Sequence, residues 1–170
     1  MRRATSTIIA TAGLTLSVIT HGQSGADLLE EVLVTAQKRQ QQAIEVPIAI
    51  GTFSRRDIIN TGALNLQDID AYIVGFDAGG ESFTQQGYRI RGISSPNIST
   101  GGDPSVATFY DDAYLPRAAT TVAFADIERV EVLRGPQGTL FGRNAAAGVV
   151  NMIPNAPSDT LEGFARIRAG

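Results

Sequence analysis

Residues 126–153 carry the alternation around which the chain is organised, DIERVEVLRGPQGTLFGRNAAAGVVNMI, with charged residues interleaved with Val130 and Val132. A two-residue period predicts a half-buried strand, and Gly135-Pro136 ends it in a turn. Gly135, Gly138, Gly142 and Gly148 then predict a backbone that takes positive φ or lies against another wall. Beyond them the chain re-enters an apolar strand from Val149 to Ile153.

The remaining pattern supplies shorter elements on either side. Val32 to Ala36 is a brief β-branched run between acidic and Gln-rich neighbours. It suits either the first strand of a domain or an extended segment that pairs with the open edge of a partner sheet. Val46 to Phe53 has strand composition, with Pro47 near its start. Ser54 with Asp57 makes a capping box and Phe53 with Ile58 a hydrophobic staple, so a helix starts at Ser54 and fails near Gly62. Asn65 with Asp68 repeats the cap, with Leu66, Ile69 and Ile73 on one helical face and an end by Gly75. Thr84 to Ile93 reads as a strand with Tyr88 and Ile90 on one side and Arg89 and Arg91 on the other. Residues 94–104 read as an exposed loop. Val106 to Tyr110 and Ala113 to Leu115 are strands about an Asp111-Asp112 turn, whose carboxylates read as solvated turn residues. Residues 154–160 form a linker, and 161–170 alternate again over about the length a tilted outer-membrane strand needs.

Composition narrows what such a chain can do. With 170 residues it has enough length for one domain with a core of its own, and a net charge of -3 argues against nucleic acid. Cysteine is absent, so neither disulfides nor thiolate metal sites are expected. Met1-Arg2-Arg3 followed by the apolar run from Ile8 to Ile19 reads as a secretory signal, with cleavage expected after Ala26 or at Gly22. Its removal takes away His21, the single histidine, and with it any histidine triad or histidine metal cluster. The glycine-rich loop is no nucleotide site. Gly142 is followed by Arg143-Asn144 where a phosphate-binding loop needs Lys-Ser/Thr, and Gly135-Pro136-Gln137-Gly138 has the wrong spacing for a dinucleotide fingerprint.

Four motifs in order, EEVLVTAQKR (30–39), QQGYRIRGIS (85–94), FYDDAYLPR (109–117) and the 126–153 stretch, resemble the plug domain of TonB-dependent outer-membrane receptors. The resemblance implies an α+β fold, a small mixed-sheet plug with short helices, followed by the start of one barrel strand. It implies domains at 1–26 (signal peptide), 27–45 (TonB-box segment and linker), 46–154 (plug) and 155–170 (linker and first barrel strand). In this family the plug sits in a β-barrel that imports ferric siderophores, cobalamin or sugars, with force supplied through TonB.

The resemblance also assigns roles. Glu31, Val32, Leu33, Val34, Thr35 and Ala36 resemble the TonB box, which adds as a strand to TonB. Arg91 and Arg134, each before a glycine, resemble the plug arginines that pair with barrel-wall glutamates, and Glu128 and Glu131, in the same charged strand as Arg134, are expected with them as barrel-contacting charges. Gly135, Pro136, Gly138, Gly142, Arg143, Asn144 and Gly148 form the signature loop. Phe83, Ser95, Asn97 and Asp103 stand in the apical loops that meet ligand in the family. The expected partners are TonB, the receptor barrel and an iron chelate or similar solute, with no cofactor, no catalysis and an outer-membrane location. Departures occur at Val74-Gly75, Asp111-Asp112 and Asn144-Ala145-Ala146-Ala147, and all bear on turn shape. A single barrel strand leaves its backbone unsatisfied in lipid, so the chain alone is not expected to transport. A rival reading is a free periplasmic plug-like protein that binds TonB or a small ligand.

Overall fold

The computed structural model describes residues 33–35, 38–39, 41–43, 45–79, 86–95, 99, 101–161 and 163. Strand β1 (Leu33–Val34) pairs antiparallel with β2 (Gln41–Gln42). Strand β3 (Ala49–Ser54) runs into helix α1 (Arg55–Thr61), and a 3-10 helix spans Leu66–Tyr72. Strands β4 (Phe76–Asp77) and β5 (Arg89–Ile90) make a short antiparallel ribbon. There follow β6 (Val106–Tyr110), β7 (Ala113–Leu115), a 3-10 turn over Arg117–Ala119, β8 (Ile127–Arg134), helix α2 (Gly138–Phe141) and β9 (Gly148–Pro154).

Five strands form one mixed sheet in the order β3-β8-β9-β6-β7, parallel between β6 and β9 and antiparallel elsewhere. Alternation along the strands divides the core in two. Val130, Val132, Val150 and Met152 join Phe53, Ile58, Leu66 and Ile69 in one buried cluster under the helices. Leu133, Val149, Ala107 and Phe109 join Val34, Val46, Phe141 and Ala145 in the other. The fold is therefore the expected α+β plug with a mixed sheet and short helices, and no closed barrel is present among the described residues.

Local chemistry explains the element ends. Both oxygens of the Ser54/Asp57 box are used, and Gly62 closes α1 at φ 71°. The Asn65/Asp68 box starts the second helix as expected, but its turns are 3-10 rather than α. Leu66 and Ile69, three apart, then stack on one side, as the tighter helix requires. The expected half-buried strand at 127–134 is covered on both faces, because it is interior to the sheet and α2 and β1 close the second face. Of the long strand expected over 84–93, the described residues 86–93 include only Arg89 and Ile90 as strand, since Arg91 and Gly92 take φ 53° and 79° and turn the chain back. Residues 1–26 and nearly all of 161–170, where the signal peptide and first barrel strand are expected, lie outside the described residues.

Candidate docking site of the N-terminal segment

The N-terminal segment lies on the sheet rather than apart from it. Val34 is fully buried in the second cluster, among residues that include Leu133, Val149 and Phe141. The main-chain N–H of Thr35 donates to Glu131 Oε1 at 2.8 Å, and its hydroxyl lies 3.4 Å from both carboxylate oxygens. Glu131 is itself fully buried and receives Arg129 Nε at 2.8 Å, while Arg129 Nη1 reaches Glu128 at 2.6 Å. A buried carboxylate with these donors is neutralised locally, so it serves as a fixed acceptor for the incoming chain. Beyond Thr35, Lys38 turns at φ 57° and sets its ammonium 5.8 Å from the Phe141 ring.

The glycine-rich loop supplies the floor of this seat. Helix α2 carries Phe141 to within 5.2 Å of the Phe109 ring. The Gly135 and Gln137 N–H groups donate to Ala147 and Ala145 carbonyls, closing the loop on itself. Gly135, Gly142 and Gly148 do take positive φ, and a Cβ on Gly148 would run into the Leu133 carbonyl oxygen. Gly138 departs from expectation: it has neither a positive φ nor a close neighbour, and it opens α2. Pro136 and Arg143 are exposed, and Asn144 donates to the Tyr114 hydroxyl at 2.9 Å.

The four charges assigned to a barrel wall fall into two places. Arg134 donates to the Val74 carbonyl at 2.9 Å, and the Arg91 N–H donates to Gly75 O at 2.8 Å, so two arginines 43 positions apart border one turn. Glu128 and Glu131 instead belong with Arg129, and Glu131 faces the N-terminal segment inside the fold. Of the apical candidates, Asp103 is exposed, 3.9 Å from Arg143, and Ser95 is half-buried. Glu31, Val32, Ala36, Phe83 and Asn97 lie outside the described residues.

Three polar residues not singled out from sequence are buried or nearly so: Arg129, Asn151 and Arg117. Asn151, register partner of Glu131, has a buried Oδ1 with no hydrogen-bond partner and lines a cavity of about 250 Å³ together with Thr35, Lys38 and Arg39. Alternation marked Arg129 only as one charge among several; nothing in the residue order marks Arg117 or Asn151 as interior.

Residues 42–149 match the model of the TonB-dependent receptor plug domain. The pesticin receptor of Yersinia pestis is 27% identical over 160 residues, covering 92% of this chain and 23% of that protein. The vitamin B12 transporter of Vibrio vulnificus is 31% identical over 142 residues, covering 79% of this chain and 22% of that one. The chain thus spans about a quarter of the length of these relatives. Among solved structures, the ferric yersiniabactin uptake receptor of Yersinia pestis superposes with a TM-score of 0.60 at 25% identity, covering 66% of this chain and 18% of that chain. The outer-membrane ferripyoverdine receptor of Pseudomonas aeruginosa shares the fold at a TM-score of 0.61 and 20% identity, covering 75% and 17%. A buried mixed sheet, a glycine-closed signature loop and a match across 42–149 place this chain in the TonB-dependent receptor plug-domain family.

Proposed function

We propose that this chain is the gating and ligand-contacting plug of a TonB-dependent outer-membrane transporter, working inside a β-barrel to admit a ferric siderophore or similar large solute. The relatives it resembles include a ferric yersiniabactin uptake receptor and a vitamin B12 transporter. In this reading residues 1–26 direct export, 46–154 form the plug, and Glu31–Ala36 is the strand offered to TonB. Arg91 and Arg134 hold the plug through barrel-wall carboxylates, and the loops bearing Phe83, Ser95, Asn97 and Asp103 meet the solute.

One observation carries the reading. The segment that resembles the TonB box rests on the signature strand through Val34 and the Thr35–Glu131 hydrogen bond, and among its described residues Leu33 and Val34 alone pair with another strand. Strand addition to a partner offers main-chain hydrogen bonds in exchange for those few contacts. A pull on this segment is thereby delivered straight to β8, the strand that also carries Arg134. Deleting Val32–Ala36 from the complete receptor is expected to abolish energised uptake while leaving solute binding at the cell surface. Uptake that persists in the deletion overturns the assignment.

A further inference from the structure

A strand resists a pull differently along its axis and across it. Main-chain hydrogen bonds between antiparallel strands stand perpendicular to them, so a force along the axis loads every bond together, whereas a force that lifts one end breaks them in turn. Strands β3 and β9 flank β8 on opposite sides, and both are antiparallel to it, so the two run in the same direction. Their first residues, Ala49 and Gly148, both stand opposite Arg134; Ser54 and Ile153, at or near their far ends, both stand opposite Arg129. The chain thus enters the sheet at one end of β8 and leaves it at Pro154, opposite Ile127, roughly 23 Å away along the strand axis. A load between the N-terminal segment and the residues after Pro154 therefore acts on β3, β8 and β9 in shear. The chain passes from Ser54 into α1 and returns to the sheet as β8 at Ile127, both at the end away from Arg134, so the residues between them are not in series with that load.

Sliding is opposed by the side chains that β3 carries. A slip of one residue exchanges the two faces of the strand. It would take Phe53 out of the first buried cluster and Ile50 off the second. A slip of two residues keeps the faces, but drawing β3 toward its own N-terminus then carries Phe53 to the place of Gly51. That place is closed, because even a Cβ on Gly51 would stand 2.8 Å from Ile73 Cγ2. Gly51 is not among the positive-φ glycines, so the overhang of Ile73, and not the backbone, requires glycine there. Tyr72, beside Ile73, already holds its ring 5.7 Å from the Phe53 ring. A drawn Phe53 runs into the end of the 3-10 helix.

We propose that β3, β8 and β9 form a shear clamp, stopped by Phe53 against Ile73, through which a pull on the N-terminal segment moves the sheet as one body. That a partner applies the pull rests on the plug reading above; the resistance itself rests on the strand register and on Gly51. The test is single-molecule pulling of the full 170-residue chain, which has no cysteine of its own, with handles on two introduced thiols. Pro47→Cys with Ala156→Cys loads the strands in shear. Pro47→Cys with Pro136→Cys, both at the Arg134 end, peels β3 from β8. Forced rupture reads the unfolding barrier along the direction pulled, and at one pulling speed the first pair is expected to need about twofold or more the force of the second. Release of the 109 residues between the first pair (156 − 47) lengthens the tether by roughly 350 Å and marks each molecule that was folded. Ile73→Leu, which conserves volume but removes the Cγ2 branch over Gly51, and Ile73→Ala should lower the shear force more than the peeling force. A loss of stability alone would lower both.

Equal forces in the two geometries overturn the clamp, as does a chain that never shows the release step. A force ratio unchanged in both Ile73 variants overturns the stop. Handles take the place of the partner in this experiment, so none of these results touches the plug reading. Capture of the TonB periplasmic domain by the same chain, measured separately, tests that reading alone: loss of capture with the shear resistance intact strikes it and upholds the clamp.

Discussion

Glu131 would be costly to bury were it not for its neighbours, since an isolated carboxylate loses several kcal/mol on leaving water. Arg129 returns much of that, and the Thr35 N–H supplies a charge-assisted hydrogen bond of a kind that contributes roughly 1.5–3 kcal/mol. In the strand addition proposed above this same amide would be recruited, so docking on the sheet and release to a partner would exclude each other at this point. Glu131→Gln keeps the shape and removes the charge. It is expected to speed hydrogen exchange at the Thr35 amide by roughly ten- to a hundredfold, while the β8–β9 amides keep their protection. An unchanged Thr35 exchange rate would remove Glu131 from the latch. Residue order alone reads this glutamate as one of several exposed charges, because alternation reports the face a side chain takes and not what covers that face.

At the scale of elements the glycines separate by role. Gly148 stands where β9 begins, paired across to Arg134 on one side and Val106 on the other. It has φ 156°, and an added Cβ would meet the Leu133 carbonyl and come 2.7 Å from Ile90 Cδ1. Gly148→Ala is expected to cost more than about 2 kcal/mol of unfolding free energy, read from the urea midpoint. Gly138→Ala should be neutral or stabilise by up to about 1 kcal/mol, because α2 leaves open space there. Spacing shows all four glycines alike, and only the register of β8 on β9 tells them apart. The caps were more legible. Ser54/Asp57 and Asn65/Asp68 are local pairings three residues apart, so the chain order itself contains their geometry. The β1–β2 hairpin was not legible, because it is held by burial of Val34 under contacts from residues a hundred positions away.

For the whole molecule, the tie between the first apolar cluster and the 117–120 turn is titratable. Tyr88 donates its hydroxyl to the Thr120 carbonyl at 3.0 Å, and burial pushes its pKa from 10.0 up to about 12. Because the folded phenol holds its proton longer than the unfolded one, the unfolded state binds fewer protons between these values and stability falls as pH rises through them. A loss of about 2–3 kcal/mol is expected between pH 10 and 12, absent from Tyr88→Phe, and urea midpoints measured across that range decide it. The parallel pairing of β6 with β9 has a further consequence, for the order in which the molecule can be put together. The strand at the middle of the sheet is also its last in sequence, so β3–β8 and β6–β7 remain two separate ribbons until residues 148–154 arrive. While residues 148–154 are still to be made, the chain cannot complete its sheet, and it stays pliable until the middle strand closes it.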